Sequence, residues 1–288
     1  MYTMTILPIG RTAGVLAVMR KFKEWHNTKN MKTILILIIT IFSVLNLNAK
    51  CAWNGLSVFP SGKTIKQNSI IVIDGYAASQ DVVKGLNKKF PVYLVNGKHK
   101  IKLKIKEVLV GQFRLTQAVL VPETNLTVGL EYTLVIDNLP NDESLDRWNS
   151  ELKKSEPIVY AVVQGLDNTK PAFSATPKEI KKSLIYYGCG PSIHVVFDCN
   201  VTDSSEYLIK ATVKSLKSGN ETSYYVEPDN GNLNIGHGMC SGAFNFDEGD
   251  DYEIEFSIMD ESGNMTAWTG DRIKFTKPTY KNSNNDDK

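Results

Sequence analysis

The chain has 288 residues, 42% of them hydrophobic, and a formal net charge of +2 at pH 7. That apolar share excludes a disordered chain, and the near-neutral balance gives no case for nucleic acid as a partner. Much of the excess positive charge lies in the N-terminal stretch and in residues 98–106.

Residues 1–30 carry Arg11, Arg20, Lys21, Lys23, Trp25 and His26 with no clear period. They read as an extension upstream of a true start at Met31, or else as a long n-region. Residues 31–49 read as a secretory signal peptide. Lys32 gives a positive start, 34–45 is an apolar run, and Ala49 ends a short exit. The run is about a dozen residues, short of the roughly 20 needed to cross a bilayer. No later run is long enough either, so the mature chain is expected to have no transmembrane span. Cleavage is expected between Ala49 and Lys50, giving a secreted, periplasmic or cell-surface protein. Cys51 raises a lipoprotein alternative, although a lipobox has a small residue where this chain has Lys50.

The remaining chain suits one large or two ordinary domains. Short apolar and β-branched runs separated by turn residues predict strands at 56–59, 69–73, 91–95, 99–105, 112–121, 132–136 and 158–163. Residues 140–156 are polar and charged and read as a long loop, with a short helix as the alternative. After Gly165 and Pro171 a second series follows at 192–199, 207–215, 223–226, 242–246, 251–259 and 271–276. No long amphipathic helix is expected. Domain boundaries are set at 50–165 and 166–278, with 279–288 a polar tail that has nothing to bury. The fold class is therefore all-β, read as two tandem antiparallel sandwiches.

Residues 251–264 run Asp-Tyr-Glu-Ile-Glu-Phe-Ser-Ile-Met-Asp-Glu-Ser-Gly-Asn. Tyr252, Ile254, Phe256 and Ile258 alternate onto one face, and Gly263-Asn264 supplies turn residues. This segment resembles the F strand and F–G turn of bacterial immunoglobulin-like and fibronectin type III-like domains. Leu130-Glu-Tyr132 with Leu134 and Ile136 is similar to the tyrosine that enters strand F. The segment 59–68 resembles the A–B opening of the same modules. The resemblance implies two Ig-like sandwiches and is silent on activity.

Four cysteines, Cys51, Cys189, Cys199 and Cys240, follow the signal-like segment, in a setting where disulfides persist. Cys189 and Cys199 flank a predicted strand of about 30 Å, too long for a bridge between them. On the Ig-like reading, Cys199 ends strand B and Cys240 enters strand E, so Cys199–Cys240 is the expected bond. Cys51 is then left to pair with Cys189 or to stay free. No CxxC pair supports zinc.

Lys98, Lys100, Lys102, Lys104 and Lys106 alternate with His99, Ile101, Leu103 and Ile105, so a strand would carry the lysines on one face. That face is either solvated or a contact stripe for a polyanion. His237, Met239 and Cys240, with His194, raise a soft-metal site, but no second matched pair supports one. The acidic clusters at 137–146 and 247–251 lack EF-hand spacing. Trp53, Trp148 and Trp268 read as core or rim, with a carbohydrate platform as the alternative. No nucleophile elbow, Walker loop, dinucleotide fingerprint or zinc-protease helix occurs. The reading is a secreted, non-catalytic binding or structural protein without cofactor or metal, its partner a cell-surface protein or polysaccharide. The alternative is an accessory module for carbohydrate or polyanion, and a divergent secreted hydrolase is a third reading.

Overall fold

The computed structural model describes residues 54–283. The signal-like segment 31–49, Cys51 and Trp53 lie outside them. The described residues belong to one compact unit, and the architecture is all-β. Among them no helix is long and apolar enough to cross a membrane.

The first lobe contains β1 (Gly55–Phe59), β2 (Thr64–Ile65), β3 (Ile71–Tyr76), α1 (Gln80–Gly85), β4 (Val92–Asn96), β5 (His99–Val110), β6 (Leu115–Pro122), β7 (Glu131–Ile136), β8 (Asp146–Asn149), β9 (Lys154–Pro157) and β10 (Val159–Val162). Eight strands join in the order β1-β3-β6-β5-β4-β7-β10-β2. All neighbours are antiparallel except β10 and β2. Strand β5 pairs β4 with its first residues and β6 with the rest, so it belongs to both halves of this sheet. Between the halves lies a core of Ile71, Ile73, Leu94, Leu103, Leu120, Leu134 and Tyr160. Val82 and Val83 of α1 close one side of it.

The second lobe contains β11 (Ala172–Phe173), β12 (Lys178–Tyr187), β13 (Gly190–Asp198), β14 (Val201–Thr202), β15 (Tyr207–Ser215), β16 (Glu221–Val226), β17 (Asn232–His237), β18 (Asp251–Asp260), β19 (Met265–Thr266) and β20 (Ile273–Thr276). One sheet runs β12-β13-β17. The other runs β16-β15-β18-β19, with β20 also against β18. Their inner faces share one core, with Val195, Phe197, Leu233 and Ile235 from the first and Ile209, Ile254, Phe256 and Phe275 from the second. The expected alternation in β18 is present: Tyr252, Ile254, Phe256 and Ile258 are all buried.

A third, smaller cluster joins the lobes, with Phe59, Ile70, Val72 and Val119 meeting Leu208, Tyr225 and Met259. Polar groups cross there too. Gln117 donates to both Asp74 carboxylate oxygens and to the Tyr225 carbonyl, each at 3.1 Å, and accepts from the Tyr225 N–H at 3.2 Å. The Tyr224 hydroxyl also donates to Asp74. Lys210 pairs with Glu107 at 2.5 Å.

Several expectations need correction. Residues 140–156 hold the hairpin β8–β9 rather than a plain loop or helix. Strands β12 and β17 were not expected. β12 is an edge strand with only Leu184 buried, so it lacks a clear period. β17 sits in a Gly/Asn-rich stretch, where a Cβ at Gly236 would come within 1.9 Å of the Ile193 carbonyl oxygen. Glycine is what lets it lie against β13. Residues 242–246 form no regular strand; Ala243 and Gly242 instead accept from Gln112 and Phe113 of the first lobe at 2.9 and 3.1 Å. Residues 279–283 are a turn, with Asn282 and Ser283 N–H groups donating to Thr279 and Tyr280 stacked on Tyr186 at 5.4 Å.

The expected Cys199–Cys240 bond is not formed. Cys199 is a buried free thiol, and Cys189 is an exposed one, so Cys51–Cys189 is not formed either. Cys240 is disulfide-bonded. The reason is register. The neighbour of β13 is β17, which runs from Asn232 opposite Asp198 to His237 opposite Ile193. Cys240 follows His237, so it lies at the other end of β13 from Cys199, roughly 20 Å away along the strand.

Candidate functional site

Strand β5 shows what became of the lysine stripe. Lys100, Lys102, Lys104 and Lys106 are exposed and Leu103 is buried. Lys98 sits in the turn just before β5 and is also exposed. Two of the five lysines are paired: Lys100 with Asp137 at 3.3 Å, where it also lies over the Tyr93 ring, and Lys104 with Glu123 at 3.6 Å. A bulge between Ile105 and Glu107 then inserts one residue. Because side chains alternate with period two, the insertion swaps the faces. Ile105, Val108 and Val110 turn to solvent, while Glu107 and Leu109 turn toward the second lobe.

Most of the other sequence candidates are engaged in contacts within the fold. His237 is buried, its Nδ1 2.7 Å from the Gly238 carbonyl and its ring edge-on to Phe113. Burial, with the His237 charge second, pushes His194 down to about 4. In the acidic turn 247–251, Glu248 accepts from Ser218 and Asn220, and Asp250 pairs with Lys277. In the other cluster, Glu143 accepts from Asn54 at 3.0 Å and Ser79 at 2.7 Å. Among the described residues no three His, Cys, Asp or Glu side chains gather to hold a metal ion. Trp268 packs edge-on against Phe173 and Phe256, a rim position of the core.

Trp148 differs. It sits in β8 and is 63% exposed. Its cross-strand neighbour is Ser155, which is too small to cover an indole. The alternation of β8 turns Arg147 the other way, toward the Tyr160 ring at 5.9 Å. Asn149 shapes the hairpin end. Its Oδ1 accepts from the N–H groups of Glu151 and Leu152 at 3.0 and 3.1 Å, an Asx turn. Its amide donates to Glu156 at 2.8 Å. That bond, then Lys154, holds the Glu156 carboxyl below the usual carboxylate range.

Between this hairpin and the strands β2, β7 and β10 runs a groove of about 700 Å³. Trp148, Asn149 and Pro157 line it together with Lys63, Arg147 and Lys154 and with Glu131, Glu151 and Glu156. Positive and negative groups are thus equal in number. An aromatic face beside one amide and three carboxylates offers stacking plus directional hydrogen bonds, without a net field. The polar composition of 146–157 hid the hairpin. The signal that marks it is Asn149, a residue suited to a turn, at the end of the short run 146–149.

The two carboxyls that burial pushes furthest from their usual range lie elsewhere. Asp74, raised to about 6, and Glu261, raised to about 7, sit at the junction of the lobes rather than in the groove. For Glu261 the second cause is the nearby Glu206 charge.

No family model and no curated protein matches this chain. Among solved structures, it is similar to the type I pullulanase of Bacillus subtilis str. 168 complexed with maltose, at 11% identity and a TM-score of 0.23. The match covers 79% of this chain and 28% of that one. A pullulanase from Anoxybacillus sp. LM18-11 matches at 7% identity and a TM-score of 0.22, covering 76% and 28%. Overlap at that level establishes neither a shared fold nor an activity.

Proposed function

We propose that this is an extracytoplasmic, non-catalytic binding protein whose ligand groove lies beneath the β8–β9 hairpin, and that the ligand is a neutral oligosaccharide. The observation that carries the reading is Trp148: a large apolar ring left 63% exposed over a groove whose charges balance. Leaving that ring in water forgoes about 2 kcal/mol of burial, which a stacked sugar face recovers. The balance of charge favours a neutral ligand over a polyanion, and on β5 the pairing of Lys100 and Lys104 with acids favours a solvated face. The non-catalytic reading is supported by the place of Asp74 and Glu261, whose raised carboxyls face protein rather than the groove. The signal-like segment supports export. We also read the second lobe as Ig-like; the Tyr252 hydroxyl, donating to the Gly249 carbonyl three residues upstream at 3.3 Å, supports that by its likeness to a tyrosine corner.

Affinity electrophoresis against neutral and anionic polysaccharides tests the reading. The expected result is retardation by at least one neutral polymer, weakened about tenfold or more by Trp148→Ala, a change of about 1.4 kcal/mol. Retardation by anionic polymers alone, or binding that Trp148→Ala leaves intact, would refute it.

A further inference from the structure

Strands β8 and β9 pair only with each other and not with the eight-stranded sheet. β9 leads through the single buried residue Ile158 into β10, and the rest of the hairpin is held by side chains. On its inward face Arg147 donates to the carbonyls of Pro60 at 2.8 Å, Ser61 at 2.5 Å and Gly62 at 3.3 Å. The Tyr160 hydroxyl donates to the same Pro60 carbonyl at 2.9 Å. The guanidinium thus takes every carbonyl of this loop.

The N–H side of the loop is held from the second lobe. Glu206 accepts from the Ser61 N–H at 2.8 Å, the Ser61 hydroxyl at 2.6 Å and the Gly62 N–H at 2.6 Å. Its own main chain is fixed, because its carbonyl accepts from the Glu261 N–H at 2.8 Å, and the Glu261 carbonyl accepts from Ile70 at 2.8 Å. The peptide groups Pro60–Ser61 and Ser61–Gly62 each carry the cation at the carbonyl and the anion at the N–H, so both are polarised in one sense. Both sets of bonds are of the stronger, charge-assisted kind. Gly62 shows how closely the carboxylate sits: a Cβ there would lie 2.6 Å from Glu206 Oε1.

We propose that Glu206 is a positioning residue for the groove: through the loop 60–62 and Arg147, the second lobe sets where the hairpin and its Trp148 stand. The role of Trp148 rests on the binding reading above, whereas the mechanical link rests on the contacts alone. The link makes the second lobe a partner in binding even though no residue of it lines the groove.

The test is amide hydrogen exchange on the full exported chain. Residues 146–157 report on the hairpin and β18 on global opening. Glu206→Ala removes two bonds from backbone N–H groups to a charged acceptor, so exchange in the hairpin is expected to rise by about tenfold or more, with β18 unchanged. Glu206→Gln, which keeps one acceptor oxygen, is expected to fall between. Gly62→Ala, whose Cβ would crowd the Glu206 carboxylate off the loop, should reproduce the effect with residue 206 unchanged. Affinity for the retarding polysaccharide should weaken in the same order. Hairpin exchange that stays at the wild-type rate, or rises only in step with β18, would overturn the proposal. Faster hairpin exchange in a protein that binds no sugar would uphold the link and refute only the ligand.

Discussion

Replacing Asp74 by Asn separates the burial of a charge from the hydrogen bonds around it. Asp74 lies on β3 at the lobe junction, where burial raises its carboxyl from 3.8 to about 6, opposed by bonds from Tyr224 and Gln117 and reinforced by the Glu227 charge. Because the folded pKa lies above the unfolded one, the folded state holds the proton more tightly. The contribution to stability is therefore complete only well below 3.8. It falls as pH rises through the window from 3.8 to about 6 and stays constant above it. At about 1.4 kcal/mol per pH unit, that window is worth about 3 kcal/mol. An amide at this position cannot ionise, so the variant lacks this slope, and among the causes of the Asp74 shift only the smallest, the Glu227 charge, couples a second carboxylate to the change. Urea unfolding at pH 4, 5, 6 and 7 reads the difference directly. The stability of Asp74→Asn relative to wild type should rise by about 2.4 kcal/mol between pH 4 and pH 7, or roughly 5–10 °C in Tm. Parallel pH profiles for the two proteins would show that Asp74 carries its charge at no cost in the fold, and the burial argument would fail.

Two further outcomes concern the second lobe. Burial, aided by the Asp198 charge, pushes the Cys199 thiol up to about 12. Iodoacetamide at pH 8 should therefore label Cys189 but not Cys199 in native protein, and reach Cys199 only after unfolding; labelling of Cys199 in the native state would contradict the burial. Phe256 fills the space between the two sheets, with Phe197 at 5.3 Å and Trp268 at 6.1 Å. Phe256→Ala should cost about 3–5 kcal/mol in chemical denaturation, and a cost below about 1 kcal/mol would mean that the sheets collapse onto the gap.

Local patterns in the chain were enough to determine the class of the fold and several of its faces. Tyr252, Ile254, Phe256 and Ile258 turn inward because side chains alternate along any strand, whatever pairs with it. The same rule placed Lys100, Lys102 and Lys104 in solvent. Gly263, with φ of 79°, sits in the turn its sequence suggested. What tertiary structure alone decided depends on pairings between distant residues. Which strand lies beside β13 was one such choice, and taking β17 instead of 242–246 carried Cys240 away from Cys199. The bulge at Ile105 and Glu107 was another, since one inserted residue reverses every later face of β5 and leaves no mark in composition. The hairpin of Trp148 was a third. Its residues are polar and bury little, so no hydrophobic period announces it. Its placement comes from charge-assisted bonds that Arg147 and Glu206 make to the loop 60–62, across 86 and 145 residues of chain. Periodicity reports how each strand meets its own surroundings, whereas contacts over such separations exist only once both lobes have folded around the same loop.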